Sequence, residues 1–159
     1  MTISPGSILN NRYRIVKLFG QGGFGAVYRV WDINLDFPRA LKENLDTSLE
    51  SQRQFKREAQ ILTMLTHSYL PKVIDHFVIP GQGQYLVMDF VEGEDLQAML
   101  NRVGAPLSEP QALEWVGQIC DALGYLHAQN PPVIHRVSND HLSVYLVYGF
   151  LTRIHQQFG

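Results

Sequence analysis

Hydrophobic and polar positions alternate over short stretches in the first half of the chain and recur at helical spacing further on. Tyr13 to Phe19 and Ala26 to Trp31 alternate or cluster β-branched and aromatic residues on either side of a glycine-rich run, which predicts a hairpin. Arg39 to Glu43 is predicted as a third strand. From Leu49 to Thr66 the period changes: Phe55, Ala59 and Leu62 fall at i, i+4 and i+7 with charged residues between them, predicting an amphipathic helix that carries Glu58. Val73 to Ile79 and Tyr85 to Asp89 read as two more strands, joined through the turn-forming Pro80-Gly81-Gln82-Gly83. The sum is five strands around one helix.

A second helical region opens at Ser108. Its hydroxyl is placed to cap the first turn, Gln111 completes a capping box, and Pro110 is tolerated so early in a helix. The apolar stripe that follows is long: Ala112, Trp115, Val116, Ile119, Cys120, Leu123 and Leu126. Beyond Pro132, the stretches Val133 to His135, Leu142 to Val147 and Leu151 to Ile154 are strand-like, with Gly149 at a turn. Pro5-Gly6, Pro80-Gly81 and Asn130 to Pro132 mark element ends, not separate domains, and no internal repeat or low-complexity run is present.

Composition narrows the function classes. At 159 residues the chain is long enough for one domain that buries roughly 70% of its unfolded surface. A formal net charge of −2 with 18% charged residues offers no basic surface for nucleic acid. No basic run leads into an apolar segment at the N-terminus, and the longest apolar stretch, Leu142 to Leu151, is too short to span a bilayer. Neither export nor a membrane partner is expected. The single cysteine, Cys120, cannot form an internal disulfide and sits in the helical stripe, so it is predicted to be core, and the expected compartment is the cytoplasm. The six histidines show no zinc-like spacing, and no metal site is expected on them.

Gly20, Gly22 and Gly25 form G-x-G-x-x-G, a spacing shared by dinucleotide folds, nucleotide loops of kinases and plain glycine-rich hairpins. Context separates them. A dinucleotide fingerprint opens a helix, whereas Ala26-Val27-Tyr28-Arg29-Val30-Trp31 is strand material. Arg39-Ala40-Leu41-Lys42 follows where a V-A-I-K strand would, Glu58 lies on the next helix, and Tyr85-Leu86-Val87-Met88-Asp89-Phe90-Val91-Glu92-Gly93 precedes Asp95. On this ordered series, the chain from about Asn11 to Arg136 resembles a bacterial-type serine/threonine protein kinase.

The resemblance implies an α+β fold with a small lobe over 11–91, built of a five-stranded antiparallel sheet and one helix. Residues 1–10 would be an N-terminal extension, and 92–159 the start of a mostly helical, incomplete large lobe. It implies ATP as the bound nucleotide. Gly20, Gly22 and Gly25 would bring backbone N–H groups to its phosphates, Lys42 would pair with them, and Glu58 would hold the Lys42 ammonium. Val27 and Ala40 would sandwich the purine. Met88 would be the gatekeeper, Asp89 and Val91 would supply backbone contacts to the adenine edge, and Asp95 would bind ribose.

The catalytic half departs from the family pattern. His135-Arg136 begins H-R-D, but Val137 stands at the base position and can neither accept a proton nor bind a metal. The metal-binding asparagine of the pattern falls on Leu142, the expected lysine on Asn139, and Gln157-Phe158-Gly159 resembles D-F-G without its aspartate. A register shifted onto Asp140 would sacrifice the His135-Arg136 alignment. The expectation is therefore an ATP-binding kinase-like domain with little or no phosphotransfer of its own. An active protein kinase, and a kinase disrupted by a deletion or frame shift after Arg136, are the competing readings. The α-helical stripe around Trp115 to Leu126 is expected to drive self-association or recruit a protein partner.

Overall fold

The computed structural model describes residues 2–21, 25–93 and 96–133. They fall into two compact units, one of Met1–Leu65 with Lys72–Phe90, the other of Thr66–Pro71 with Val91–Gly159. The first holds an antiparallel sheet of β1 (Ile8–Leu9), β2 (Tyr13–Gln21), β3 (Gly25–Asp32), β4 (Phe37–Asn44), β5 (Val73–Ile79) and β6 (Gly83–Asp89), with α1 (Leu49–Met64) between β4 and β5. Strand order is β1-β2-β3-β4-β6-β5.

The sheet thus has six strands, not the five expected. The additional strand is two residues long, too short to show an alternation, and pairs Ile8 with Arg14 and Leu9 with Tyr13. Its turn depends on Asn10 and Asn11, both left-handed at φ 49° and 52°, a conformation that asparagine tolerates better than most residues. Residues 2–9 are part of this unit's packing: Leu9 is buried in the core, Ile3 packs against it, and the Ile3 N–H donates to the Tyr28 hydroxyl at 3.1 Å.

Strand alternation gives the sheet two different faces. One carries Tyr13, Ile15, Tyr28, Val30, Leu41, Tyr85 and Val87, all almost fully buried. Within it the buried Glu43 carboxylate accepts from the hydroxyls of Tyr28 at 2.9 Å and Tyr85 at 3.3 Å. Burial, then these bonds and the nearby carboxylate, push both phenols up to about 12. At the β2–β3 end, Arg12 donates twice to Asp32, at 2.9 and 2.7 Å, and Asp32 also accepts from the amides of Asn34 and Leu35. The fully buried Asp32 is held below the usual carboxylate range, first by the Arg12 hydrogen bond, against its own burial.

The other face receives α1. Ser48 caps this helix by accepting from the Ser51 amide at 3.2 Å, and Phe55, Ala59 and Leu62 are its buried residues, as the periodicity requires. The helix stops at Met64, two residues before the expected end, because Leu65 turns to extended backbone.

The second unit contains α2 (Leu96–Val103) and α3 (Glu109–His127). No sequence signal had singled out α2, which is eight residues long and too short to repeat its period convincingly. Ser108 does stand at the N-cap of α3, but its hydroxyl makes no capping bond, so the predicted capping box is not formed. The predicted stripe also divides. Trp115, Gln118, Ala122 and Leu126 are buried, whereas Val116 is 54% exposed and Cys120 is exposed rather than core. Cys120 lies two residues from both Gln118 and Ala122, about 200° around the helix from the buried line. Among the described residues no helix is long and apolar enough to cross a membrane. The strand-like stretches expected at 142–147 and 151–154 lie outside the described residues, as does His135-Arg136-Val137.

Candidate functional site

The site is assembled by sheet register. Val27 pairs with Lys42 and Lys42 with Leu86; Arg29 pairs with Ala40 and Ala40 with Met88; Gly25 pairs with Asn44. Because these strands are in register, Gly25, Val27, Ala40, Lys42 and Met88 share the face on which α1 packs. Val27, Ala40 and Met88 are buried at 2%, 9% and 6% exposure and make an apolar floor around the Lys42 stem.

Lys42 itself is buried, and its Nζ lies 4.0 Å from Oε1 of Glu58, whose side chain is 31% exposed. At that separation and a surface-like effective dielectric, attraction is about 4 kcal/mol before desolvation and salt are counted. That suffices to orient a flexible ammonium. The Nζ also lies 5.6 Å from the centroid of the Phe55 ring. Phe55 precedes Glu58 by three residues, so one side of α1 presents both to the lysine. The helical period had identified Phe55 as core only; its spacing from Glu58 was the available signal for more.

Two of the three motif glycines are described. Gly20 sits near the end of β2 opposite Val27, just after a register shift between Leu18 and Gly20. Gly22 lies outside the described residues. Gly25 opens β3, and a Cβ there would stand 2.8 Å from the carbonyl oxygen of Glu43, a backbone atom with little room to yield. The close approach of β3 to β4 therefore demands glycine at this position even without a ligand.

At the end of β6, Asp89 is tied through both its amide and its carboxylate. Its amide donates to the Lys72 carbonyl at 2.9 Å, one carboxylate oxygen accepts from Arg39 at 2.9 Å, and the other accepts from the Lys72 amide at 3.1 Å. Any backbone contact from Asp89 to a ligand thus runs through its carbonyl. Val91 is half-buried and belongs to the second unit, while Asp95 lies outside the described residues. Phe19 and Phe90, which sequence reasoning did not single out, pair at 5.4 Å between centroids, with the Arg29 guanidinium 4.9 Å from the Phe90 ring.

Residues 13–137 match the protein kinase domain family. The probable serine/threonine-protein kinase YbdM of Bacillus subtilis is 36% identical over 128 residues, 79% of this chain and 50% of that protein. The serine/threonine-protein kinase pkn3 of Myxococcus xanthus is 33% identical over 134 residues, 82% of this chain and 24% of that protein. The chain therefore spans half or less of the length of these relatives. Among solved structures, a point mutant of the PknI kinase domain of Mycobacterium tuberculosis superposes with a TM-score of 0.69 at 29% identity, over 87% of this chain and 56% of that one. A second structure, described as the apo form of PpkA-294, gives 0.71 at 22% identity over 85% of this chain and 54% of that one, which speaks to the fold.

Proposed function

Because the chain belongs to the protein kinase domain family, we propose that it binds ATP on the Lys42 face of its sheet and has little or no phosphotransfer activity of its own. The observation that carries this reading is the buried Lys42 ammonium 4.0 Å from Glu58, on the same face as Val27, Ala40 and Met88. Lys42 would neutralise and orient the phosphates, with Glu58 fixing its position. Backbone N–H groups of the Gly20, Gly22 and Gly25 loop would meet the phosphate oxygens. Val27, Ala40 and Met88 would meet a purine with their apolar side chains and the Asp89 carbonyl its polar edge, while Val91 and Asp95 keep the adenine and ribose roles that the family resemblance implies for them.

ATP would supply a transferable γ-phosphoryl group. The chain places Val137, Leu142 and Gln157 where the family pattern carries its base and magnesium ligands. Losing a general base alone lowers rate by about 10²- to 10⁴-fold. The reading further includes association with a second copy through α3, where Leu113 and Val116 are 64% and 54% exposed beside the exposed Cys120.

Calorimetric titration with ATP, paired with radiolabel transfer from γ-labelled ATP to a generic protein substrate, tests the function. Binding by the wild-type chain, weakened about tenfold or more in Lys42→Met, with no transfer above the Lys42→Met background, is the expected result. Transfer abolished by Lys42→Met would establish an active serine/threonine kinase instead. No heat with a folded sample would remove ATP from the account.

A further inference from the structure

Glu58 is not the only group placed to hold Lys42. Its carboxylate is at the outer limit of an ion pair and one-third open to solvent, which screens the attraction. The Phe55 ring, by contrast, is 6% exposed and has the ammonium 5.6 Å from its centroid, within cation–π range. Lys42 and His76 both pair with Leu86, from the strands on either side of it. Phe55 descends from α1 between them, its ring 6.0 Å from the His76 imidazole at an interplanar angle of 38°.

The His76 Nε2 is buried and has no hydrogen-bond partner among the described residues. Burial, with the positive charge of Lys56, holds this imidazole below its ordinary pKa, while Gln84 and Asp75 pull the other way. An uncharged His76 ring beside Phe55 does not itself compete with Lys42 for the phenyl face.

We propose that Phe55, packed against His76, is a positioning residue that holds the Lys42 ammonium toward its ligand through the face of its ring. This rests on reading Lys42 as the phosphate-facing cation. The chemistry suits that task. A carboxylate fixes an ammonium but adds negative charge where a triphosphate must come, whereas an aromatic face attracts the same cation and adds no net charge.

Two measurements on the full chain test the proposal. In ¹³C-lysine-labelled protein without nucleotide, the ε-methylene resonance of Lys42, assigned through Lys42→Met, is expected upfield of ordinary lysines through the Phe55 ring current. It should return to the ordinary position in Phe55→Leu, which keeps an apolar side chain. Incorporating 4-fluoro-, 3,5-difluoro- and pentafluorophenylalanine at position 55 drains the ring face at nearly constant shape. Affinity for a fluorescent ADP analogue is then expected to fall stepwise, by about fivefold over the series. A Lys42 resonance at the ordinary position, or an affinity flat across the fluorinated series, overturns the proposal. Should the wild-type chain bind no adenine nucleotide while the upfield resonance is present and lost in Phe55→Leu, the nucleotide reading falls and the Phe55 contact stands.

Discussion

Gly25 shows how one residue answers to two demands. The sequence motif assigns it to phosphate approach, but its missing Cβ is already required by the Glu43 carbonyl 2.8 Å from where that atom would be. Gly25→Ala should therefore destabilise the chain without any nucleotide present, by about 2 kcal/mol, since the clash is with backbone; urea unfolding checks this. His76 gives a pH signature at the same scale. Its pKa is lowered in the folded state, so the unfolded chain takes up the proton first as pH falls. The stability that depends on a neutral His76 is intact above about 6.5 and declines as pH drops below that toward the folded value. The groups around it are Phe55, Lys56, Asp75 and Gln84. His76→Gln should flatten that part of a stability-against-pH curve measured by denaturant titration. Lys42 and Glu58 were legible in the sequence because a motif fixes their order. Phe55 was legible only as a core position three residues before Glu58, and His76 not at all, because a contact between a helix and two strands is set by register.

At the scale of elements, periodic stretches were readable and short ones were not. α1 and the five longer strands follow from apolar spacing, whereas β1 and α2 are too brief to display a period, and β1 depends on two left-handed asparagines. The capping box at Ser108 had the right residues and still did not form, which shows that a side chain able to cap need not do so. The β2–β3 end is secured by Arg12 and Asp32, a contact between residues 20 apart in sequence. Asp32→Asn should cost about 2 kcal/mol at neutral pH, because Arg12 keeps its charge and loses a carboxylate in a buried setting. The sign with acid is fixed by the lowered pKa of Asp32. Its stabilisation is present above the ordinary value of 3.8 and is lost as pH falls through the folded value, so Asp32→Asn and wild type should converge in strong acid. Chemical denaturation at several pH values measures both.

For the molecule as a whole, α3 carries the prediction. Leu113 and Val116 are exposed on a helix whose opposite side buries Trp115, Ala122 and Leu126. Light scattering over a concentration series is expected to give a mass rising above the 18.1 kDa of one chain, and replacing Leu113 and Val116 by glutamine should bring it back. A constant monomer mass in the wild type would count against association. The exposed Cys120 could not be foreseen from hydrophobicity alone, since a cysteine in an apolar stripe is more often interior.

Strand order also sets a timetable for acquiring structure. β1 to β4 each join a neighbour in sequence, so their contacts close short loops, whereas β6 must slot between β4 and β5 and bring Gln84 back to Asn44 across the whole of α1. Long closures cost more chain entropy and come late. In pulse-labelling hydrogen exchange during refolding, amides of β3 are expected to gain protection before those of Leu86 and Val87. The lysine-bearing strand would then wait, paired along one edge only, until β6 arrives. A nascent chain paused before β6 would display the bare edge of β4, a recognition signal for chaperones of the kind that bind unpaired strands.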